Sequence, residues 1–186
     1  MTTGNAMKHY ITAVMLFLLP GLGHAELYFE LALEGGGETL ARSSDGLELN
    51  AGGGIKFAGG VINNFGENNH SRLSLALGYL SDSIDASNGE GDLDSFTFDA
   101  IYSRLFHLHR LGVGLSYHIG PEYSDSVDGF GSTRIEFDDA LGIILQYGYA
   151  LTPGFQLGAR YTLMDYKANG LSIDADSFGV FLAFGM

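Results

Sequence analysis

The final strand-length segment constrains the fold more than any other part of the chain. Ser177-Phe178-Gly179-Val180-Phe181-Leu182-Ala183-Phe184 puts Phe178, Val180, Leu182 and Phe184 on one side and small or polar groups on the other, with Phe181 alone out of step. Side chains on a strand alternate between faces with period two. A water-soluble domain seldom closes on so apolar a strand, because an uncovered strand edge templates aggregation. A transmembrane β-barrel requires the pattern, since one face meets lipid and the other the lumen.

The start of the chain agrees. Lys8 is the only charge in the first 25 residues, Ile11–Leu19 is a short apolar run, Pro20-Gly21 breaks it, and Gly23-His24-Ala25 places small residues at −3 and −1 of a cleavage site. This is the layout of a secretory signal peptide. The run is about half of the roughly 20 apolar residues that a spanning helix needs. Residues 1–25 are therefore expected to be a signal peptide and residues 26–186 a single barrel domain. Residues 26–186 carry 8 basic and 22 acidic side chains, a net charge of −14. That charge argues against nucleic acid as a partner, because phosphate binding needs clustered Lys and Arg. The chain has no Cys, which excludes a disulfide framework and thiol chemistry, and its 28 Gly are about twice the usual share of roughly 7%.

Eight alternating segments follow one another, and no helical periodicity appears after the signal peptide. The first strand is expected at Leu27–Glu34 and the second at Leu47–Phe57, with Leu47, Leu49, Ala51, Ile55 and Phe57 on one face. The third covers Arg72–Leu80. The fourth covers Ser95–Arg104, where Ile101 falls on the wrong face and suggests a bulge. The fifth covers Leu111–Ile119, the sixth Arg134–Tyr149 with Glu136 and Asp138 inward, and the seventh Phe155–Tyr166; the closing strand is the eighth. Short connections at Val61–Asn69, Phe106–Arg110 and Leu151–Gly154 alternate with longer polar ones, of which Ser81–Asp94 is an acidic loop without a basic residue. Short periplasmic turns and long extracellular loops alternate in this way in outer-membrane barrels.

A soluble ligand-binding barrel would put its apolar face inside. Here the opposite face carries Gly78, Gly112, Gly114, Gly142, Gly148 and Gly158, which would make an empty core. It also carries charges of both signs, including Glu30, Lys56, Asp99 and Arg160. The apolar face is therefore the lipid face. Leu75, Leu115, Ile143 and Leu157 are expected near mid-membrane, and Tyr147, Tyr149, Phe155 and Phe184 in a periplasmic aromatic girdle. Arg160 is expected to pair with an inward carboxylate, with Glu30, Glu136, Asp99 and Asp138 the candidates, because an unpaired charge in a confined interior is strongly disfavoured.

These residues resemble the small outer-membrane β-barrels of Gram-negative bacteria, the OmpA transmembrane-domain and OmpX type. Ser177, Gly179, Leu182 and Phe184 fill the polar, glycine, hydrophobic and aromatic slots of that family's C-terminal assembly signal. The resemblance implies an all-β, eight-stranded antiparallel up-and-down transmembrane barrel in the cell outer membrane. It also implies insertion by the outer-membrane assembly machinery. A monomer is expected, and the peptidoglycan-binding domain that follows the barrel in OmpA-like proteins is not expected, since the chain stops at Met186.

Catalytic and metal-binding patterns are incomplete. The lipid A deacylases among such barrels use a His and a Ser two apart; none of His70, His107, His109 and His118 has Ser two positions on, and His70-Ser71 are adjacent. No Gly-x-Ser-x-Gly elbow occurs. His107-x-His109 supplies two ligands of a site that needs more, and His118, near Glu122 and Tyr123, reads as packing at the lumen rim. Gly35-Gly36-Gly37 and Gly52-Gly53-Gly54 lack the Lys-Ser/Thr of a phosphate loop and read as loop flexibility and barrel bending. No catalytic, cofactor-binding or metal residue is assigned and no cofactor is expected. The expected role is non-enzymatic, in envelope structure or surface interaction. Its partners would be outer-membrane lipids and lipopolysaccharide, the latter through bridging divalent cations. A lipid A deacylase-like enzyme and a narrow small-solute channel are the alternatives.

Overall fold

A computed structural model describes residues 25–43, 46–86, 89–127, 129 and 131–185; of the expected signal peptide only Ala25 lies within them. The strands in chain order are β1 Glu26–Gly35, β2 Thr39–Arg42, β3 Glu48–Asn50, β4 Gly54–Phe65, β5 Ser71–Ala86, β6 Gly89–Phe106 and β7 His109–Val127. They continue with β8 Gly131–Glu136, β9 Ala140–Thr152, β10 Phe155–Leu163, β11 Asp165–Ala168, β12 Leu171–Asp174 and β13 Ser177–Gly185. Among the described residues there is no α-helix, only a 3-10 turn at Glu67–Asn69. Eight strands, β1, β4, β5, β6, β7, β9, β10 and β13, each pair antiparallel with the next. The β1–β13 register, Phe29↔Phe184 through Gly35↔Phe178, closes the ring. This is the expected eight-stranded up-and-down barrel, in which the ring of eight strands closes on itself.

The apolar strand faces point outward. Leu115, Ile143 and Leu157 are 49%, 50% and 45% exposed, whereas Lys56, Asp99 and Arg160 on the opposite faces are 2%, 3% and 3% exposed. The termini and the tight turns at His107-Leu108 and Pro153-Gly154 share one end, the terminal end. The other is the loop end. At the terminal end the Phe155 and Phe184 rings stack with centroids 4.8 Å apart, and the Tyr147 hydroxyl lies 2.7 Å from His109 Nδ1. At the loop-end border, outward tyrosines donate to aspartates: Tyr79 to Asp94 at 2.7 Å, Tyr117 to Asp139 at 2.8 Å and Tyr161 to Asp176 at 3.0 Å. Tyr suits such a border, having an apolar ring and a polar tip.

The structure departs from the sequence expectations chiefly at the loop end. The second strand is interrupted: β3 ends at Asn50 and β4 starts at Gly54. Leu49 and Ala51 are buried, while Ile55 and Phe57 face outward. Because β4 runs to Phe65, the turn after it is shorter than Val61–Asn69. Ser81–Asp94 is not a loop. β5 and β6 stay paired up to Ala86↔Gly89, so all five of its acids lie on paired strands. β6 has 18 residues and β7 has 19. A membrane span takes about 9–11, so nearly half of each stands beyond the bilayer. β8 pairs with this upper part of β7. The sixth strand breaks at residues 137–139, which turns Glu136 and Asp138 to solvent rather than into the lumen. The seventh ends at Leu163, and β11 folds onto β12 as a hairpin.

Ile101 is in step, and the bulge lies elsewhere. Asp94 pairs with Glu122 but Phe96 with Ile119, so the extra residue falls at Gly120-Pro121 of β7. Pro121 has no N–H to offer the ladder, which confines it to such a bulge. Ile101 points inward and packs over Gly112 and Gly114. Phe181 does the same over Gly158, where an added Cβ would lie 2.3 Å from the Phe181 ring. The two residues that broke the sequence pattern are thus the large side chains that fill the space left by lumenal glycines.

Candidate functional site

The lumen holds a five-residue charge network at mid-barrel. Alternation on β1, β4, β6 and β10 aims Glu30, Glu34, Lys56, Asp99 and Arg160 at one another across the interior. The Arg160 guanidinium faces Glu30 side-on: Nη2 donates to Oε2 at 2.7 Å, and Nη1 lies 2.7 Å from Oε1. Asp99 Oδ2 is 3.5 Å from Nη1 and Glu34 Oε1 is 4.0 Å away. Gln146 accepts from both Nε and Nη2 of Arg160, and the guanidinium sits over the Phe181 ring at 5.2 Å. Lys56 Nζ donates to Asp99 at 2.6 Å and lies 4.0 Å from Glu34. Ser116 donates to Asp99 at 2.6 Å, Ser177 to Glu34 at 3.1 Å, and Tyr28 to Glu30. Two cations thus face three carboxylates in a space that excludes bulk water. Charges buried in this way are stable only when paired and hydrogen-bonded. Of the carboxylates expected for Arg160, Glu30 and Asp99 are its partners. Glu136 and Asp138 are not; the exposed Glu136 lies 3.6 Å from Arg134 instead. Glu34 was not foreseen as a partner.

Above the network the loop-end segments fold into an apolar core. Leu49, Leu93, Tyr123, Phe137, Met164 and Tyr166 come together from β3, β6, β7, the 137–139 turn, the end of β10 and β11. The Phe137 and Tyr166 rings are 5.5 Å apart. The two Gly triplets serve this packing rather than flexibility. Gly52 N–H donates to Gly36 C=O at 3.1 Å, and a Cβ at either residue would lie within 2.7 Å of the Asp176 carbonyl. Side chains there would separate the three connections that meet over the lumen.

The candidate catalytic residues are dispersed. His70 follows the 3-10 turn, His107 sits in a tight turn at φ 61°, and His109 is on the outer face beside Tyr147 and Tyr149. His118 is buried, with Nδ1 2.6 Å from the Tyr166 hydroxyl. Burial, with a contribution from Glu34, pushes the Tyr166 hydroxyl well above the ordinary phenol range, so it stays protonated. One constellation has the reverse order, Ser before His, and so lies outside the His-then-Ser pattern. Ser116 precedes His118 by two on the inner face of β7, and Asp99 lies opposite. In the folded barrel Ser116 is committed to Asp99 and His118 to Tyr166, and both lie beneath the apolar core. A nucleophile needs its base within hydrogen-bond reach, and neither hydrogen bond provides that. Among the described residues no group of three or more His, Asp or Glu is placed to hold a metal ion.

Solved structures share this architecture. The attachment invasion locus protein Ail of Yersinia pestis aligns at 12% identity over 86% of this chain and 97% of its own, with a TM-score of 0.51. Ail in complex with the heparin analogue sucrose octasulfate aligns at 16% identity over the same shares, also at 0.51. Neisserial surface protein A aligns at 17% identity over 87% and 97%, with a TM-score of 0.47. At such identities the likeness is one of fold. No curated protein sequence matches the chain. The family model described as outer membrane protein beta-barrel domain matches residues 12–184, and the chain accordingly belongs to that family and to the outer membrane.

Proposed function

We propose that this is a sealed, non-enzymatic barrel whose working surface is a rigid acidic platform on the extracellular side. The observation that carries the reading is the apolar core at the loop end, which joins β3, β6, β7 and β11 into one packed body above the lumen. Packed segments present a fixed surface, whereas free loops would lose conformational entropy on binding. The mid-lumen ion network and Phe181 occupy the axis below. An eight-stranded barrel has an interior that side chains just fill, so conduction is not its role.

The platform carries Asp82, Asp85, Glu90, Asp92, Asp125 and further acids, while its basic residues are Arg42, Arg134 and Lys167. Lipopolysaccharide phosphates are negative as well. Association with them runs through divalent cations, which carboxylates bind through oxygen. The sulfated sugar in the Ail complex belongs to that protein; a platform of this charge repels a polyanion.

The test pairs two assays. Purified protein in planar bilayers is expected to give no discrete conductance steps, and lipid A profiles of cells with and without the protein are expected to match. Steps that persist in repeated preparations support the channel, and a deacylated lipid A species supports the enzyme. Either result overturns the proposal.

A further inference from the structure

The terminal end holds an arrangement that the platform does not explain. A cavity of about 90 Å³ opens there, lined among others by Arg72, Arg110, Tyr28 and Gln156. Such a volume has room for several waters or one small oxyanion. Arg110 is 6% exposed, and its side chain makes one long hydrogen bond, 3.4 Å to Ser103 Oγ. Arg72 donates to Asn64 Oδ1 at 2.9 Å. Among the described residues neither guanidinium has a carboxylate within 4 Å, although Arg160 and Lys56 in the same lumen both do. The two cations repel each other, and the exposed rim carboxylate Glu26 accepts from Asn64, the partner of Arg72, at 3.5 Å. Gln156, 7% exposed, lines the same cavity without a side-chain hydrogen-bond partner among the described residues.

Buried charge normally carries its counter-charge with it. Here the barrel supplies two guanidiniums and an unpaired amide, and the matching anion must come from outside. We propose that this vestibule binds a phosphate dianion from the periplasm, free or as a small phosphomonoester, through Arg72 and Arg110 with Gln156 as a further donor. Two guanidiniums match two negative charges, and their planar forks suit phosphate oxygens. The charge distribution favours the same end. Arg72, Arg104 and Arg110 all lie there, in a chain of net charge −13 whose acids are concentrated at the loop end.

The experiment uses the refolded barrel in an uncharged alkyl-glucoside micelle, with inorganic phosphate and glycerol phosphate as probes and chloride at matched ionic strength as control. The Nε–H resonances of Arg72 and Arg110 are expected to shift saturably with phosphate while that of Arg134 does not. R72Q and R110Q are each expected to weaken binding at least tenfold, and R104Q less than twofold. Folding of each variant is checked by heat-modifiable gel mobility. Should an arginine variant fail to fold, Q156L, which removes only the amide, is expected to weaken binding at least threefold. Preference for glycerol phosphate over inorganic phosphate assigns the site to a monoester. Non-saturable shifts shared by every arginine, or unchanged affinity in the folded variants, overturn the proposal.

Discussion

Replacing Arg160 with Met removes the guanidinium from the mid-lumen network and keeps most of its volume. The network then holds Glu30, Glu34 and Asp99 against Lys56 alone, and its formal charge falls from −1 to −2. Glu30 suffers most, because its partner cation sits 2.7 Å away while Lys56 bonds Asp99 instead. Gln146 loses both of its donors. Removing one member of a buried pair destabilises by about 3–5 kcal/mol, since the other charge remains buried and uncompensated. The chain has no Trp, so urea unfolding from lipid vesicles is best followed by heat-modifiable gel mobility and circular dichroism. R160M is expected to lie in that range. R160M/E30Q, which removes the orphaned charge as well, should recover at least about 1 kcal/mol as a non-additive term. A loss for R160M below about 1 kcal/mol, or strict additivity of the two changes, would refute the claim that the pair is held in a water-poor interior.

Substituting Arg for Leu115, Ile143 or Leu157 on the lipid face should destabilise by about 2–4 kcal/mol in the same unfolding assay; little change would mean that these positions do not meet lipid. G158V drives a side chain into the Phe181 ring and should destabilise by about 1–3 kcal/mol. Adding F181L should restore part of that loss, and a neutral G158V would contradict the close packing there. F137A should cost about 3–5 kcal/mol locally and expose the β11–β12 hairpin to protease while heat-modifiable mobility persists. Simultaneous loss of both would mean that the platform and barrel unfold as one unit. Chelators should weaken surface association with lipopolysaccharide and leave barrel mobility unchanged; unfolding of the barrel by chelation would contradict the cation's peripheral role.

The sequence alone determined the barrel. Alternation at period two reports which side of a strand meets lipid, and it needs no knowledge of neighbours, so Leu115, Leu157 and Phe184 were legible as outward and Glu30, Lys56 and Arg160 as inward. Glycine on the inner face showed that the large apolar side chains of the opposite face point away from the interior. Which charges meet was not legible, because that depends on the register and curvature of strands far apart in sequence: Glu30 and Arg160 are separated by 130 positions. The same limit hid the Ser116–Asp99 bond and the convergence of Arg72, Arg110 and Gln156 at the terminal end. The loop end was misread for a second reason. Beyond the bilayer no lipid enforces the alternation, and polar strands such as Ser81–Ala86 look like loops until their partners hold them. Leu49, Phe137 and Tyr166 come from separate segments and acquire a common core only where three chain connections cross over the lumen. Tertiary structure decided that meeting, because glycines at Gly36 and Gly52 let the backbones approach closely there.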